Sequence, residues 1–85
     1  MSYYVYVLKS EHHKKSYVGH TDNLARRLKE HNEGKANYSR RYRPWKIIYT
    51  EKYNSLNEAI IKEKYYKNHS GRKELKRIFN NCGIV

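Results

Sequence analysis

Glu63 is the residue hardest to explain by packing. It follows Ala59 by four residues and Ile60 by three, on a stripe that Leu56, Ala59, Ile60 and Tyr66 make apolar. That spacing lines one face of a helix, and a carboxylate there is costly unless a charge meets it. Two readings stand. In the ordinary one, Glu63 sits at the edge of the stripe and pairs with one of the nineteen Lys and Arg residues of the chain; spacing alone favours this reading. In the other, it holds a hard divalent ion such as magnesium, which needs only one or two carboxylates when water and phosphate oxygens supply the remaining ligands.

Arg27 and His31 are one helical turn apart and can meet the same group. Arginine is the planar donor that clamps phosphate oxygens with two bonds, and histidine accepts or passes a proton near neutral pH. The plainer reading makes Arg27 a solvated cation and His31 a cap at the negative end of its helix. Tyr6 and Tyr17 form the third pair. If their strands make a hairpin with Leu8 opposite Tyr17, both phenols point to one face as diagonal neighbours, ~7–8 Å apart. A one-residue slip would separate them. Two phenols on one face can orient or deprotonate a water. Gly19, two residues on, would let a substrate backbone come close.

The elements that must position these groups follow from the pattern. Tyr3 to Leu8 is aromatic and β-branched throughout, which predicts a strand covered on both faces. A polar loop over 10–15 leads to a second short strand over 16–19. Thr21-Asp22-Asn23 offers helix-capping chemistry, Leu24, Leu28 and His31 recur at helical spacing, and Gly34 suits the stop. Residues 35–44 are polar and cationic and read as an ordered loop; Trp45 to Lys52 reads as a third strand. Ser55 and Glu58 form a capping box for the Glu63 helix. Ser70 is the expected cap of a last short helix carrying Leu75, Ile78 and Phe79. The order is β-β-α-β-α-α, an α+β domain with a three-stranded, mainly antiparallel sheet.

The length of 85 residues suits one domain with a small core. No run approaches the ~18 apolar residues of a membrane span, and residues 1–4 show no secretory signal. The single Cys82 fits a reducing compartment, so a cytoplasmic location is expected. The balance of 19 basic to 8 acidic residues gives +11, a field that recruits polyanions, nucleic acid above all. Ten tyrosines among the cations suit stacking on bases, although packing explains most single rings equally well.

Tyr4-Val5-Tyr6 and Tyr17-Val18-Gly19, with Thr21-x-Asn23-Leu24-x-x-Arg27-Leu28-x-x-His31, Pro44 and Ala59-x-x-x-Glu63, resemble the ordered motifs of the GIY-YIG nuclease family. The resemblance spans about residues 2–79, leaving 80–85 as a tail, and is closest in kind to the family's small stand-alone bacterial members. It implies the fold derived above and a metal-dependent endonuclease. Tyr6 and Tyr17 would then be the motif tyrosines, Arg27 the phosphate-facing arginine, His31 its helix neighbour, and Glu63 the ligand of Mg2+ or Mn2+. The chain departs from the pattern at Tyr4, where the family has glycine. It also lacks a matching asparagine after the Glu63 helix, where Asn68, Asn80 and Asn81 stand. The expected partner is nucleic acid, DNA in preference to RNA, contacted by Arg26, Arg40, Arg41, Arg43 and Lys67. Binding would be structure-selective or weakly specific, with a partner protein as a source of targeting. The alternative is a non-catalytic nucleic-acid-binding module on the same fold.

The charge predicts salt-steep binding. With about 4–6 phosphates contacted, log K should fall against log salt with a slope near −4 to −5. Shift assays at several salt concentrations check this; affinity indifferent to salt would exclude an electrostatic interface.

Overall fold

The structure is a computed structural model that describes residues 2–35 and 39–81. The elements are β1 (Tyr3–Ser10), β2 (Ser16–Thr21), α1 (Leu24–Asn32), a 3-10 turn (Ser39–Tyr42), β3 (Trp45–Tyr53), α2 (Leu56–Lys67) and α3 (His69–Asn81). The three strands form one antiparallel sheet in the order β2-β1-β3. The expected α+β class and element order are therefore present. Within the expected loop, Ser39–Tyr42 form the 3-10 turn, and residues 36–38 lie outside the described residues, as does Cys82.

The central strand β1 is covered on both faces, as its unbroken apolar run requires. Val5 and Val7 pack with Val18, Ala59, Tyr66 and Leu75 under α2 and α3. Tyr6 and Leu8 pack with Trp45 on the other face, against Leu24 and Leu28 of α1. A bulge in β3 between the partners of Val7 and Leu8 adds one residue. It lets Ile48 and Tyr49 both pack on the α2–α3 side while Ile47 faces α1.

Helix ends follow local chemistry. The Asn23 side chain accepts the Arg26 N–H at 3.0 Å and Ser55 accepts that of Glu58 at 3.2 Å. Helix α1 closes on Gly34, whose φ is +82°. The Gly34 N–H reaches the His31 carbonyl at 3.2 Å and the Lys35 N–H that of Glu30 at 3.1 Å, the paired bonds of a glycine-terminated helix. Asn32 then clamps both backbone groups of Trp45, at 2.6 and 3.2 Å, tying the end of α1 to the start of β3.

The last helix differs from expectation. It runs for 13 residues, and its cap is Asn68, not Ser70: Asn68 Oδ1 accepts the Gly71 N–H at 2.8 Å. Asn68 also ends α2, so one residue serves both helices. The tight join is permitted by Gly71, where a Cβ would lie 2.5 Å from the Tyr65 carbonyl carbon and 2.6 Å from Tyr66 Cα. Backbone cannot yield as a side-chain tip can. Gly71→Ala should therefore lower unfolding stability by about 1–3 kcal/mol or more, read from denaturant midpoints; a neutral effect would show that the α2–α3 turn can open freely.

Candidate functional site

On the α1 face, Leu8 lies opposite Tyr17 and Tyr6 opposite Gly19. The register is the one that sends both phenols to one side, and their rings stack with centroids 6.3 Å apart and planes at 29°. Gly19 has a different task from the one expected of it. The Tyr6 ring lies over it, and a Cβ there would sit 2.6 Å from Tyr6 Cζ. The missing side chain admits Tyr6 rather than a substrate backbone.

Tyr6 is 2% exposed and His31 is fully buried. Arg27 Nε donates to Tyr6 Oη at 3.2 Å, and Tyr6 Oη lies 3.1 Å from His31 Nε2. His31 Nδ1 lies 2.6 Å from Ser39 Oγ. Burial, with the Arg27 charge adding to it, lowers His31 to about 4, so its imidazole is neutral at pH 7. Arg27 is donor-only, so the Tyr6 oxygen accepts from it, and the neutral His31 ring bridges Tyr6 and Ser39 through its two nitrogens. Burial pushes the Tyr6 phenol up to about 12, against the opposing pull of Arg27. Partial burial works against the Arg27 charge, yet bonds with Tyr6, Glu30 and Tyr17 hold it above its ordinary value; the Glu30 contact is 3.1 Å.

Glu63 lies on the other face. His20 is opposite Val5 and therefore points towards α2, where its Nδ1 lies 2.7 Å from Glu63 Oε1. Lys67 Nζ lies 3.1 Å from Glu63 Oε2 and 5.7 Å from the centroid of the Tyr17 ring. Lys67 thus reaches from the Glu63 side to the tyrosine side around β2, which is an edge strand. Tyr6, Tyr17, Arg27 and His31 form one contact network; Glu63 joins it through Lys67 at this edge.

Of the cations expected on nucleic acid, Arg26 is exposed and pairs with Asp22 at 2.7 Å. Arg40 and Arg41 are exposed on the 3-10 turn, and Arg43 is exposed beside Gly34. Tyr4, at the glycine position of the first half-motif, is half-buried and pairs with Thr21 and Lys52. Asn68 spends its side chain on the α3 cap, and Asn80 is exposed. Sequence reasoning missed His20 and Ser39. Extending the hairpin register one residue past Gly19 would have found His20 under the Glu63 helix; no local signal marks Ser39.

The chain is an antiparallel three-stranded sheet with helices on both faces and a phenol–guanidinium–imidazole network on its α1 side. The model of the GIY-YIG catalytic domain matches residues 2–76, and the chain belongs to that family, a nuclease-type family acting on nucleic acid, whose nucleases generally use divalent metal ions. The relatives it resembles are UPF0213 proteins. That of Staphylococcus haemolyticus is 36% identical over 89% of this chain and 93% of its own. That of Syntrophus aciditrophicus is 38% identical over 92% and 91%. The solution NMR structure of the UPF0213 protein from Bacillus halodurans has a TM-score of 0.57 and 33% identity, covering 98% of this chain and 88% of that one. No helix among the described residues is long and apolar enough to cross a membrane.

Among the described residues, no three His, Cys, Asp or Glu gather around a point that could enclose a metal. Glu63 is 17% exposed on its side chain, and a single carboxylate suffices where phosphate and water complete the shell.

The buried imidazole gives a pH prediction. The unfolded His31 titrates near 6.5, and the folded one near 4. Between these values the unfolded chain binds a proton that the folded chain refuses, so stability falls as pH falls through this window. The loss should be on the order of 2 kcal/mol at pH 5. Urea unfolding from pH 7.5 to 4.5 measures it against His31→Gln, which should lack this part of the slope; parallel curves for the two proteins would refute the assignment.

Proposed function

We propose that the chain is a divalent-metal-dependent endonuclease that hydrolyses phosphodiesters in nucleic acid, DNA in preference to RNA, with structure-selective or weak specificity. The observation that carries this reading is the junction at the β2 edge. There Lys67 contacts both the Glu63 carboxylate and the Tyr17 ring, while Arg27 is held on Tyr6 behind it. A carboxylate and a half-exposed phenol are thereby bridged at one edge, with a fixed guanidinium behind the phenol.

Glu63 would hold magnesium or manganese, which when bound polarises the scissile phosphate and stabilises the leaving oxygen. Arg27, oriented by Tyr6 and Glu30, stabilises charge developing on the non-bridging oxygens. Tyr17, half-exposed, orients the attacking water. Tyr6 is buried and held neutral, so its part is to aim Arg27 and to share a hydrogen bond with His31, which at neutral pH is free of charge. Arg26, Arg40, Arg41 and Arg43 contact backbone phosphates, which position a duplex without reading its sequence.

The second reading, a binding module without chemistry, rests on one observation: both Glu63 oxygens already have side-chain partners, His20 and Lys67. One substitution decides between the two. Glu63→Gln keeps the shape and an acceptor for His20, and the pairs it weakens reach the surface, where such pairs contribute about 0–1 kcal/mol. The variant should therefore melt close to the parent. Magnesium at high concentration should raise the melting temperature of the parent and not that of the variant, by mass action. Nicking of plasmid DNA should fall to background while DNA binding persists. A variant that melts far lower and still nicks would return Glu63 to a purely structural role, and a parent that never nicks under any divalent ion would favour the binding module.

A further inference from the structure

A cavity of about 630 Å³ opens beside the β2 edge, between β2 and α3. Its volume falls in the ~300–1,000 Å³ range of sites that enclose small molecules. Its walls are apolar and aromatic: Tyr17 from β2, with Leu75 and Phe79 from α3. Its rim is cationic, made by Lys67, Arg72 and Lys76, and no acidic residue lines it. The α3 contribution is a single stripe. Arg72, Leu75, Lys76 and Phe79 stand at i, i+3, i+4 and i+7, so cation and apolar group alternate along one helix face. Arg72 and Lys76 are both exposed, and neither is paired with a carboxylate among the described residues.

Tyr17 and Lys67 belong to this cavity and to the cluster at the β2 edge alike. Whatever fills the cavity therefore lies directly against Tyr17 and Lys67. An apolar peptide would bury the walls but leave two rim cations, Arg72 and Lys76, unneutralised. A nucleotide answers both features, because its base offers a flat face to Tyr17 and Phe79 and its phosphates meet the rim. A base still paired within a duplex has no free face to offer, so the occupant must be unpaired.

We propose that this cavity is a subsite for one unpaired nucleotide of a DNA strand, seated next to the phosphate that the β2 edge addresses. The substrate class is then DNA with a bulge, flap or single-stranded junction, rather than uniform duplex. The proposal rests on the nuclease reading for the word substrate, but the subsite itself can be tested without cleavage.

The experiment uses the full chain in EDTA, so that no divalent ion takes part, and two DNAs: a perfect duplex, and the same duplex with a single-nucleotide bulge carrying 2-aminopurine. The parent should bind the bulged DNA about tenfold more tightly, the order expected for stacking one base on aromatic side chains, and 2-aminopurine emission should fall on binding. The double variant Arg72→Ala with Lys76→Ala alters exposed side chains alone; it should lose most of that ratio and most of the quenching. Phe79→Leu keeps apolar bulk and should lose the quenching, while Phe79→Tyr keeps a flat face and should retain it. A parent without preference for the bulge, or rim variants that keep the parent's ratio and quenching, would overturn the proposal. Nicking assays on the same proteins separate the two readings. Bulge preference lost with the rim variants, in a protein that never nicks, would uphold the subsite and remove the chemistry. Nicking dependent on Glu63 without any bulge preference would do the reverse.

Discussion

Tyr6 carries a phenol hydroxyl into the interior of a very small domain, where leaving it without a partner would cost about 1–3 kcal/mol. Much of the α1 face is arranged around that one oxygen. Its ring needs the space that Gly19 leaves by having no Cβ. Its oxygen accepts from Arg27 and is turned towards His31. His31, buried beside a cation, is kept neutral and so requires a neutral partner on its far nitrogen, which Ser39 provides. The Ser39 carbonyl in turn takes the Trp45 indole N–H at 2.7 Å. The guanidinium at the surface is therefore aimed by a chain of bonds running to the start of β3. None of these partners can be moved without stranding a buried polar group, and the described residues contain no buried side-chain nitrogen or oxygen left unpaired.

The site is divided by the sheet. Register parity sends Tyr6 and Tyr17 to the α1 face and His20 to the α2 face, so the guanidinium and the carboxylate approach from opposite sides. The two sides are linked because β2 is an edge strand and because Lys67, one turn after Glu63, is long enough to lie over the Tyr17 ring. An edge strand exposes unpaired backbone groups and invites unwanted pairing. Here the edge is crowded by cations, which repel a second copy of the same basic chain as they attract a polyanion.

The hairpin was readable from the first twenty residues, as two strands joined by a short polar loop; its register was open between the symmetric pairing and a one-residue slip, and the symmetric one, with Leu8 opposite Tyr17, is the one present. Helix α1 was readable from Asn23 and Gly34, whose capping chemistry is local. The Arg27–Tyr6–His31 contacts follow from those two elements. The parts that were not readable depend on distant chain segments. Asn68 displaced Ser70 as a cap because Gly71 lets α3 turn closely against the end of α2, a tertiary fit that helix-start rules do not contain. Ser39 faces His31 across a turn whose path no periodicity predicts. His20 was legible in principle and overlooked because the motif glycine next to it drew the strand boundary too early.

The two carboxylates on the α2 face show how far local partners decide a role. Glu51 accepts hydrogen bonds from three phenols: Tyr49 at 2.6 Å, Tyr53 at 2.5 Å, and Tyr66. Burial alone would raise its pKa, but the three donors hold it below the ordinary carboxylate range. Those donors sit on packed rings that cannot leave, Tyr66 being fully buried. The Glu51 charge is thus fixed in place and closed to any newcomer. Glu63 is offset by His20, a half-buried ring, and by Lys67, an ammonium on a flexible stem whose side chain is 51% exposed. Such partners hold a carboxylate at a defined point while leaving it close to solvent. The contacts with His20 and Lys67 are what makes a carboxylate tolerable on an apolar stripe.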